Sequence, residues 1–468
     1  MSATAVLEGL AILCRERFGA AATVEALRRL SGGANMETWA FDCAGRELIL
    51  RRMPGEGAIA DSEMGLGSIS LAAQADLMEL ARAGAVSAPA VIARLAPRHG
   101  IGEGFVMARV AGETLPHKIL GKPEYAKAEA VLAEQCAREL ARIHALDPRA
   151  LPEPLAERSP RELVEREEAK YRRIGAALPA FDWAFGWLLR NTPTPVAPVV
   201  LHGDFRMGNL LIGPEGIGAV LDWELAHLGD PAQDIAYLCV PSWRFGHYAR
   251  TAGGFDSLEA LLTAYTRESG RQIEPGRLRW WLVYGTLWWG MVCLSMGQFW
   301  RSGEDRSLER AVIGRRCSEV ELDLLLLLDE ELGLTGNTRD LDWQPPAEPA
   351  FAGDIHGAEL LAAIGEWARD SVQAGASGHA LFEARVAGNA LGMARRAACW
   401  GGGFAAAEAA GLAAMGLDHA AFCAGLRSGH IAPGDGPVWT HLRRRALQRI
   451  AIDQPAYAGY RRALARWV

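Results

Sequence analysis

The sequence predicts an α+β protein with a small antiparallel β lobe, a large mainly helical lobe and a C-terminal all-α domain. Short apolar runs separated by glycine-containing turns fill the first 110 residues, which is typical of antiparallel strands. Helical spacing of apolar residues dominates from residue 126 onward. A stretch rich in Pro and Gly, residues 336–353, then separates an alanine-rich tail from the rest.

The N-terminal region is expected to hold a leading helix, five strands and one further helix. Apolar residues at helical spacing predict helices over 5–18 and 69–83. Apolar runs bounded by turn residues predict strands near residues 23–30, 39–43, 47–51, 88–92 and 104–108. The remainder is expected to be helical, with helices near 126–145, 160–173, 280–300, 315–329, 359–371, 380–399 and 440–452. The helix over 160–173 carries charges of alternating sign, which predicts a solvated face.

The composition indicates a globular protein of two or three domains. Half of the 468 residues are apolar and the net charge is −7. This mildly acidic balance, without a concentrated basic tract, argues against nucleic acid as the main partner. The eight cysteines are scattered without a C-x-x-C pair, which favours reduced thiols over a disulfide framework or a zinc site. We therefore expect a cytoplasmic protein.

One uncharged segment, from Trp280 to Trp300, is long enough to span a bilayer. It also contains several glycines and polar residues, and a single isolated span is hard to reconcile with the rest of the chain. We expect a buried helix there and no membrane partner. The N-terminus shows no basic region followed by a long apolar one, so no signal peptide is evident.

The segment from Val199 to Asp234 holds the densest group of polar side chains that could do chemistry. Two apolar runs flank the turn at residues 213–216, and this pattern predicts a β-hairpin. Because a hairpin brings its two ends together, Asp204, Asn209 and Asp222 are expected to converge on one small volume.

Such a convergence suits phosphoryl transfer. This reaction needs a carboxylate that orients an attacking hydroxyl, and oxygen ligands that hold magnesium on the nucleotide phosphates. Asp204 suits the first role, and Asn209 and Asp222 suit the second. Glu224 is a third carboxylate, which either binds a second magnesium through water or hydrogen-bonds within the loop. A polar loop between strands and a His/Asp hydrolase metal site are the alternatives.

The pattern H-x-D-x-x-x-x-N followed by an aspartate matches the catalytic loop and metal aspartate of kinases. With D-W-E at 222–224, the segment resembles the aminoglycoside phosphotransferase and choline kinase-like family. The string LDWELAHLGDPAQDIAYL, together with residues 242–246, resembles the branch related to kinase domains fused to acyl-CoA dehydrogenases. The resemblance implies a two-lobed protein-kinase-like fold, ATP and Mg²⁺ as cofactors, and Asp204 as the catalytic base.

For the nucleotide, the resemblance implies a phosphate-binding glycine turn, a cation on the third strand and a hinge that pairs with adenine. The residues at these positions are Ser31, Gly32, Gly33 and Asn35 for the turn, Arg51 (less favourably Arg52) for the cation, and Met107 and Val110 for the hinge. Glycines let the main chain approach phosphates closely. The helical glutamate that usually pairs with the cation is replaced by Gln74, which could accept a hydrogen bond from Arg51 but supplies no charge.

Around the base, the resemblance implies that His202 and Asp234 brace the catalytic loop. Arg206 is expected to steady transition-state charge or to touch the acceptor. Trp243 and Arg244 are candidate contacts for an anionic or planar acceptor, such as part of a coenzyme A ester. Both arginines could instead be ion-paired surface residues.

We expect a kinase small lobe over 1–110, a large lobe over 111–335, a linker over 336–353 and a helical accessory domain over 354–468. The last resembles a small all-α domain appended to some kinases of this branch, and its role in docking, homodimerisation or covering the substrate stays open. The expected function is ATP-dependent phosphorylation of a small-molecule hydroxyl, with a hydroxyacyl-coenzyme A favoured over an aminoglycoside. The alternative is a nucleotide-binding pseudokinase scaffold.

Overall fold

The computed structural model describes residues 2–32, 36–53, 68–334 and 339–468. Of the expected site residues, Gly33 and Asn35 lie outside the described residues, and for Ser31 and Gly32 only the main chain is described. The chain divides into two compact units. Unit 1 comprises residues 1–160 and 194–282, and unit 2 comprises residues 161–193 and 283–468.

Unit 1 begins with a helix and a five-stranded antiparallel sheet in the order β1-β2-β3-β5-β4. The elements are α1 (Ala3–Phe18), β1 (Val24–Gly32), β2 (Glu37–Cys43), β3 (Arg46–Met53), α2 (Leu71–Ala83), β4 (Val91–Arg94) and β5 (Glu103–Ala108). The predicted small antiparallel β lobe is therefore confirmed.

The register of the β2–β3 pair in this sheet follows from one tight turn. Ala44 and Gly45 both have positive φ, 51° and 71°, as the favoured two-residue hairpin turn requires. β2 and β3 then pair without a slip, with Thr38 opposite Arg51. The neighbouring Arg52 is fully buried and donates to the Glu37 carboxylate at 2.7 Å. Arg52 is thus a core residue, which leaves Arg51 as the candidate phosphate-binding cation of this strand.

The rest of unit 1 is mainly helical and carries two short two-stranded sheets, β6 with β9 and β7 with β8. Its elements are α3 (Pro116–Ile119), α4 (Ala126–Ile143), β6 (Val199–Leu201), β7 (Leu210–Gly213), β8 (Gly216–Val220), β9 (His227–Gly229), α7 (Ala232–Leu238), α8 (Leu258–Ser269) and the start of α9 (Pro275–Ser302). Helix α4 packs against α8 and β8.

In the described part of its chain, the regular elements of unit 2 are all helices. In addition to the remainder of α9 it contains α5 (Pro160–Ile174), α6 (Pro179–Arg190), α10 (Leu308–Arg315), α11 (Cys317–Leu332), α12 (Gly357–Trp367), α13 (Gly378–Ala414), α14 (His419–Ser428), α15 (Gly436–Asp453) and α16 (Ala458–Trp467). The predicted solvated face of α5 is confirmed, because Arg161, Glu165 and Arg172 are exposed. On the opposite face, Glu167 and Lys170 are buried as an ion pair with a 3.2 Å contact.

The C-terminal helices pack against elements that the sequence places in the large lobe. α14 contacts α6, and α15 and α16 contact α11. Acidic side chains of α11 receive arginines from these helices, as in the contact from Arg449 to Glu321 at 2.9 Å. The grouping of residues 161–193 and 283–334 with the tail differs from the boundaries expected from sequence, which stay a prediction.

Within the described residues, no single helix has the length and apolar character needed to cross a membrane. The bent pair α13 and α14, with 62° between its helices, meets that test only when the two are joined. The uncharged segment within α9 instead supplies buried side chains, among them Trp280, Trp281, Val283 and Met291.

Candidate active site

The β7–β8 hairpin brings its two ends together. Leu210 lies opposite Val220, and the amide of Leu221 donates to the carbonyl of Asn209 at 2.8 Å. Asn209 and Asp222 therefore lie at the same end of the hairpin. Asp204 reaches this end through the loop that precedes β7, because the side-chain amide of Asn209 donates to its carboxylate.

The turn that presents Asp204 requires a glycine before it. Gly203 has φ of +82°, and a Cβ atom there would lie 2.3 Å from the carbonyl oxygen of Leu225. An L-residue would pay both the conformational cost and a clash with main chain. A glycine is therefore structurally required at position 203.

Two side chains hold this loop on either side of Asp204. The Asp234 carboxylate accepts hydrogen bonds from the amides of His202 and Gly203, at 2.8 and 2.9 Å. His202 Nδ1 lies 3.2 Å from the Asp204 amide, which can only donate, so Nε2 carries the proton and donates to Leu221 O at 2.9 Å. These contacts are the ones that the proposed bracing roles of His202 and Asp234 require.

Asp204 is held by neighbours on both carboxylate oxygens. Asn209 donates to Oδ2, and Arg206 Nε donates to Oδ1 at 3.0 Å. Burial raises the pKa of Asp204, Arg206 counters this effect, and the nearby Asp222 carboxylate adds to it, so the net direction is upward. A carboxylate with a raised pKa is a better proton acceptor, which suits a general base.

An aromatic pair lies behind this carboxylate. The guanidinium of Arg206 is 4.8 Å from the ring centroid of Trp243, which meets Tyr237 edge-on at 5.9 Å. Burial, and then the Asp204 carboxylate with which its hydroxyl hydrogen-bonds, raise the pKa of Tyr237. Tyr237 is not among the site residues predicted from the sequence. The available signal is its position three residues after Asp234 on α7, since residues at i and i+3 share a helix face.

The expectation that Arg244 contacts an acceptor needs correction. Its side chain is buried, and its guanidinium donates to the carbonyls of Cys239 at 3.0 Å and Tyr248 at 3.1 Å. These bonds tie the segment after α7 together, so Arg244 has a structural position. Trp243 contacts the site through Arg206.

The small-lobe cation contacts the D-W-E segment. Arg51 Nη2 lies 2.6 Å from Asp222 Oδ1 and 2.8 Å from Glu224 Oε2, and its side chain is 14% exposed. Asp222 adopts φ of +65°, which is uncommon for a non-glycine residue. Burial and the adjacent Asp222 charge raise the pKa of Glu224 to about 7, against the opposing effect of Arg51.

Gln74 does not take the glutamate's place as a partner of Arg51 in this structure. Its side-chain amide is buried and donates to the carbonyl of Ile69 at 3.1 Å. The amide of Ile69 in turn donates to the carbonyl of Glu224 at 2.8 Å. Gln74 therefore supports the start of α2 against the D-W-E loop, and carboxylates of that loop supply the charge for Arg51.

The two hinge candidates lie at and after the end of β5. Met107 is half-buried opposite Ile49 and Val91. The main-chain amide of Arg109 donates to the carbonyl of Glu47 at 3.0 Å. In the described part of the chain, the main-chain amide of Val110 has no main-chain acceptor. That amide is therefore open to a ligand.

The oxygen atoms present fit magnesium bound with a nucleotide. No group of three or more His, Cys, Asp or Glu side chains in the described ranges could hold a metal by itself. Mg²⁺ is usually bound by one or two carboxylates together with substrate phosphates and waters. The Asn209 amide oxygen and the Asp222 carboxylate, adjacent at one end of the hairpin, are such a partial set.

Two family models match the chain. The "Phosphotransferase enzyme family" model matches residues 26–281, and a domain of unknown function, DUF6285, matches residues 374–457. The first covers more than half of the 468 residues.

Curated relatives are named for acyl-CoA dehydrogenases. Acyl-CoA dehydrogenase family member 11 of Rattus norvegicus is 27% identical over 216 residues, which are 42% of this chain and 26% of that protein. Acyl-CoA dehydrogenase family member 10 of Mus musculus is 43% identical over 67 residues, which are 14% of this chain and 6% of that protein. The chain thus spans about a quarter of the length of its rat relative. The predicted resemblance to kinase domains fused to acyl-CoA dehydrogenases is confirmed.

A solved structure shares the fold. A "putative aminoglycoside phosphotransferase" from Ralstonia eutropha superposes with a TM-score of 0.55 at 21% identity, over 69% of this chain and 98% of that one. This likeness confirms the predicted protein-kinase-like fold.

Proposed function

Because the chain belongs to the phosphotransferase enzyme family, we propose that it transfers the γ-phosphoryl group of ATP to a hydroxyl group of a small molecule. One observation carries the proposal. The carboxylate of Asp204 is held by Asn209 beside Asp222, so a candidate proton acceptor and two candidate magnesium ligands share one small volume. Phosphoryl transfer depends on such positioning and on electrostatic stabilisation.

In this proposal Asp204 accepts the proton of the acceptor hydroxyl while the hydroxyl oxygen forms a bond to the γ-phosphorus. The bond between that phosphorus and the bridging oxygen breaks, and ADP leaves with the oxygen. The raised pKa of Asp204 supports its role as base. Arg206, 3.0 Å from Asp204, adds positive charge where charge develops.

The nucleotide would be held by residues from both ends of unit 1's sequence. Asn209 and Asp222 would bind Mg²⁺, which neutralises charge on the phosphates when bound. Arg51 would exchange its contact with Asp222 for a contact with the phosphates and would keep its contact with Glu224. Glu224 would thus orient Arg51, and a second magnesium on Glu224 is the other role that its carboxylate allows.

The remaining nucleotide contacts rest on main-chain groups and on position. The glycine turn, Ser31 to Gly33 with Asn35, would cover the phosphates. The amide of Val110, which has no main-chain acceptor in the described residues, would pair with adenine, and Met107 would lie beside it.

For the acceptor we propose a hydroxyacyl-coenzyme A or another anionic hydroxy metabolite. The cation–π pair of Arg206 and Trp243 lies beside the base and offers positive charge to an anion. The names of the curated relatives agree with an acyl-coenzyme A. A polycationic aminoglycoside would lie less favourably beside Arg206.

The test is ATP consumption with Mg²⁺ against hydroxyacyl-coenzyme A esters, free hydroxy acids and an aminoglycoside. Asp204→Ala is expected to abolish acceptor-dependent turnover while ATP binding, measured by calorimetry, stays within a few-fold. Asp147→Ala, at an exposed aspartate of the same unit, is the matched control. Full turnover in Asp204→Ala would refute the proposed role of Asp204.

A nucleotide-binding scaffold is the second candidate, because Gln74 stands where kinases carry a glutamate. That reading predicts ATP binding in the calorimeter without turnover against any hydroxyl acceptor. Tight binding together with acceptor-dependent ADP release would exclude it.

A further inference from the structure

A cavity of about 780 Å³ lies within the C-terminal segment, entirely among residues 407–448. This range belongs to the part of the chain matched by the domain of unknown function. The volume is within the range of about 300–1,000 Å³ that small-molecule sites occupy. One wall is α15, and the opposite side comes from the end of α13 and the loops that follow it.

Several polar side chains of the α15 wall make no hydrogen bond to any described residue. Gln448 is 6% exposed and lines the cavity, yet within residues 339–468 and the other described ranges its amide makes no hydrogen bond. The Nε2 atom of His441 is buried and likewise has no hydrogen-bond partner there. The hydroxyl of Thr440 lines the same space without a described partner.

Buried polar atoms are nearly always hydrogen-bonded, so the unpartnered Nε2 atom of His441 beside this cavity points to a ligand that satisfies it. Burial lowers the pKa of His441, and the neutral ring offers one donor and one acceptor. The side-chain amide of Gln448 likewise offers donor and acceptor atoms. The cavity is therefore lined by hydrogen-bonding groups without partners and has room for a small molecule.

The charges around the cavity select the kind of ligand. Arg445 and Glu408 neutralise each other through a 2.7 Å contact. Arg444 lines the cavity and has no carboxylate within ion-pairing distance among the described residues, so it is an available cation. Asp435, nine residues earlier, lies about 13 Å away along the helix axis. A second negative charge at that end would be repelled.

The other side of the cavity is apolar, with Ala414, Met415, Leu417 and Ile431 among its lining residues. We propose that this cavity binds a small organic monocarboxylate, with Arg444 and Gln448 holding the carboxylate and the apolar side packing against the body of the ligand. The site is independent of the residues assigned to phosphoryl transfer.

The probe is 4-(trifluoromethyl)benzoate, with binding to the full chain followed by fluorine NMR relaxation. The corresponding benzyl alcohol, which keeps the shape and lacks the charge, is the ligand control. We expect the acid to bind at least tenfold more tightly than the alcohol. In Arg444→Gln, which removes an exposed cation, we expect the acid to lose at least tenfold in affinity and the alcohol to be unaffected.

Two glycines of α13 provide a matched pair of variants. A Cβ atom at Gly411 would lie 2.8 Å from His441 Nδ1, whereas one at Gly402 would meet nothing within 4 Å. Gly411→Ala must displace the His441 ring and is expected to weaken probe binding at least fivefold. Gly402→Ala makes the same chemical change in the same helix and is expected to bind the probe as the unmodified protein does.

Several results would overturn the proposal. These are absence of acid binding at millimolar probe, equal affinity for acid and alcohol, unchanged affinity in Arg444→Gln, or equal losses in Gly411→Ala and Gly402→Ala. Thermal melting of each variant checks folding. ATP calorimetry, expected to be unchanged in all three variants, separates this site from the proposed kinase site, so either proposal can fail alone.

Discussion

Two groups of acidic and basic side chains, one in each unit, differ in how their charges are balanced. In unit 1, Asp204, Asp222 and Glu224 are close enough for Asp222 to raise the pKa of the other two carboxyls. Two arginines, Arg51 and Arg206, contact these three carboxylates. Carboxylates therefore outnumber cations in this group.

The acidic residues of α11 in unit 2 are paired instead. Glu321 receives Arg445 and Arg449, one on each oxygen, and Asp329 receives Arg466. Burial by itself lowers the pKa of Arg445, but the charges of Glu321 and Glu408 raise it above its usual value. Balanced, buried pairs of this kind hold helices together, whereas an excess of carboxylates leaves a site for an added cation.

The largest expected effect is that of Asp222→Asn. Removing this carboxylate takes away a proposed magnesium ligand, and turnover is expected to fall on the order of a thousandfold. It also removes a like charge beside Asp204 and Glu224, so the free energy of unfolding is not expected to fall by more than about 1 kcal/mol. Kinetics and urea denaturation measure the two effects. A large loss of stability with little loss of turnover would contradict the proposed role of Asp222 as a magnesium ligand.

In α11, Glu321→Gln is expected to cause a large loss of stability, whereas Asp222→Asn mainly lowers turnover. The change at Glu321 leaves Arg445 and Arg449 with too little negative charge in a buried place, and breaking a buried pair costs about 3–5 kcal/mol. ATP binding by the folded fraction should be unchanged. Glu309→Gln, at an exposed position of α10, is the control and should stay within about 0.5 kcal/mol. A similar small loss for both variants would contradict the structural role of Glu321.

Two buried aspartates should respond to pH with opposite sign. Burial raises the pKa of Asp234, but the hydrogen bonds from His144 and the His202 amide lower it below its usual value overall. Its ionised form therefore adds stability above about pH 4, which is lost as pH falls through the lowered pKa. Burial raises the pKa of Asp182, which the charge of Arg427 only partly offsets, so its contribution to stability declines as pH rises above about 4.

Urea denaturation of Asp234→Asn and Asp182→Asn between pH 3 and 7 measures this difference. As pH rises, the destabilisation should grow for Asp234→Asn and shrink for Asp182→Asn, each by at most about 1.4 kcal/mol per pH unit. Parallel pH profiles for the two variants would show that the two aspartates do not differ in this way.

The smallest expected effect is that of Tyr237→Phe. Its hydroxyl hydrogen-bonds the Asp204 carboxylate and so stabilises the ionised base, by about 1 kcal/mol for a bond of this kind. Turnover should fall by less than about tenfold, and the acidic limb of the pH–rate profile should move to higher pH. Tyr171→Phe, a buried tyrosine of unit 2, is the control and should leave that limb unchanged. An unshifted acidic limb in Tyr237→Phe would show that Tyr237 does not stabilise the ionised form of Asp204.

Local sequence patterns were enough to predict the hairpin and the polar residues at its end. A hairpin closes within about 20 residues through local turn chemistry, so the convergence of Asp204, Asn209 and Asp222 could be predicted without the structure. The helices of unit 1 follow from equally local rules. The catalytic assignments of these residues stay predictions until they are assayed.

The pairing of charges depends on long-range packing. Arg51 contacts Asp222, 171 residues away, and Glu321 contacts Arg445, 124 residues away. From the sequence, Gln74 was expected beside Arg51 and Arg244 was a candidate acceptor contact, and the structure differs at both positions. The physical reason is common to the two. An ionic or polar side chain is placed by whichever distant partner offsets its desolvation, and local patterning carries no information about that partner.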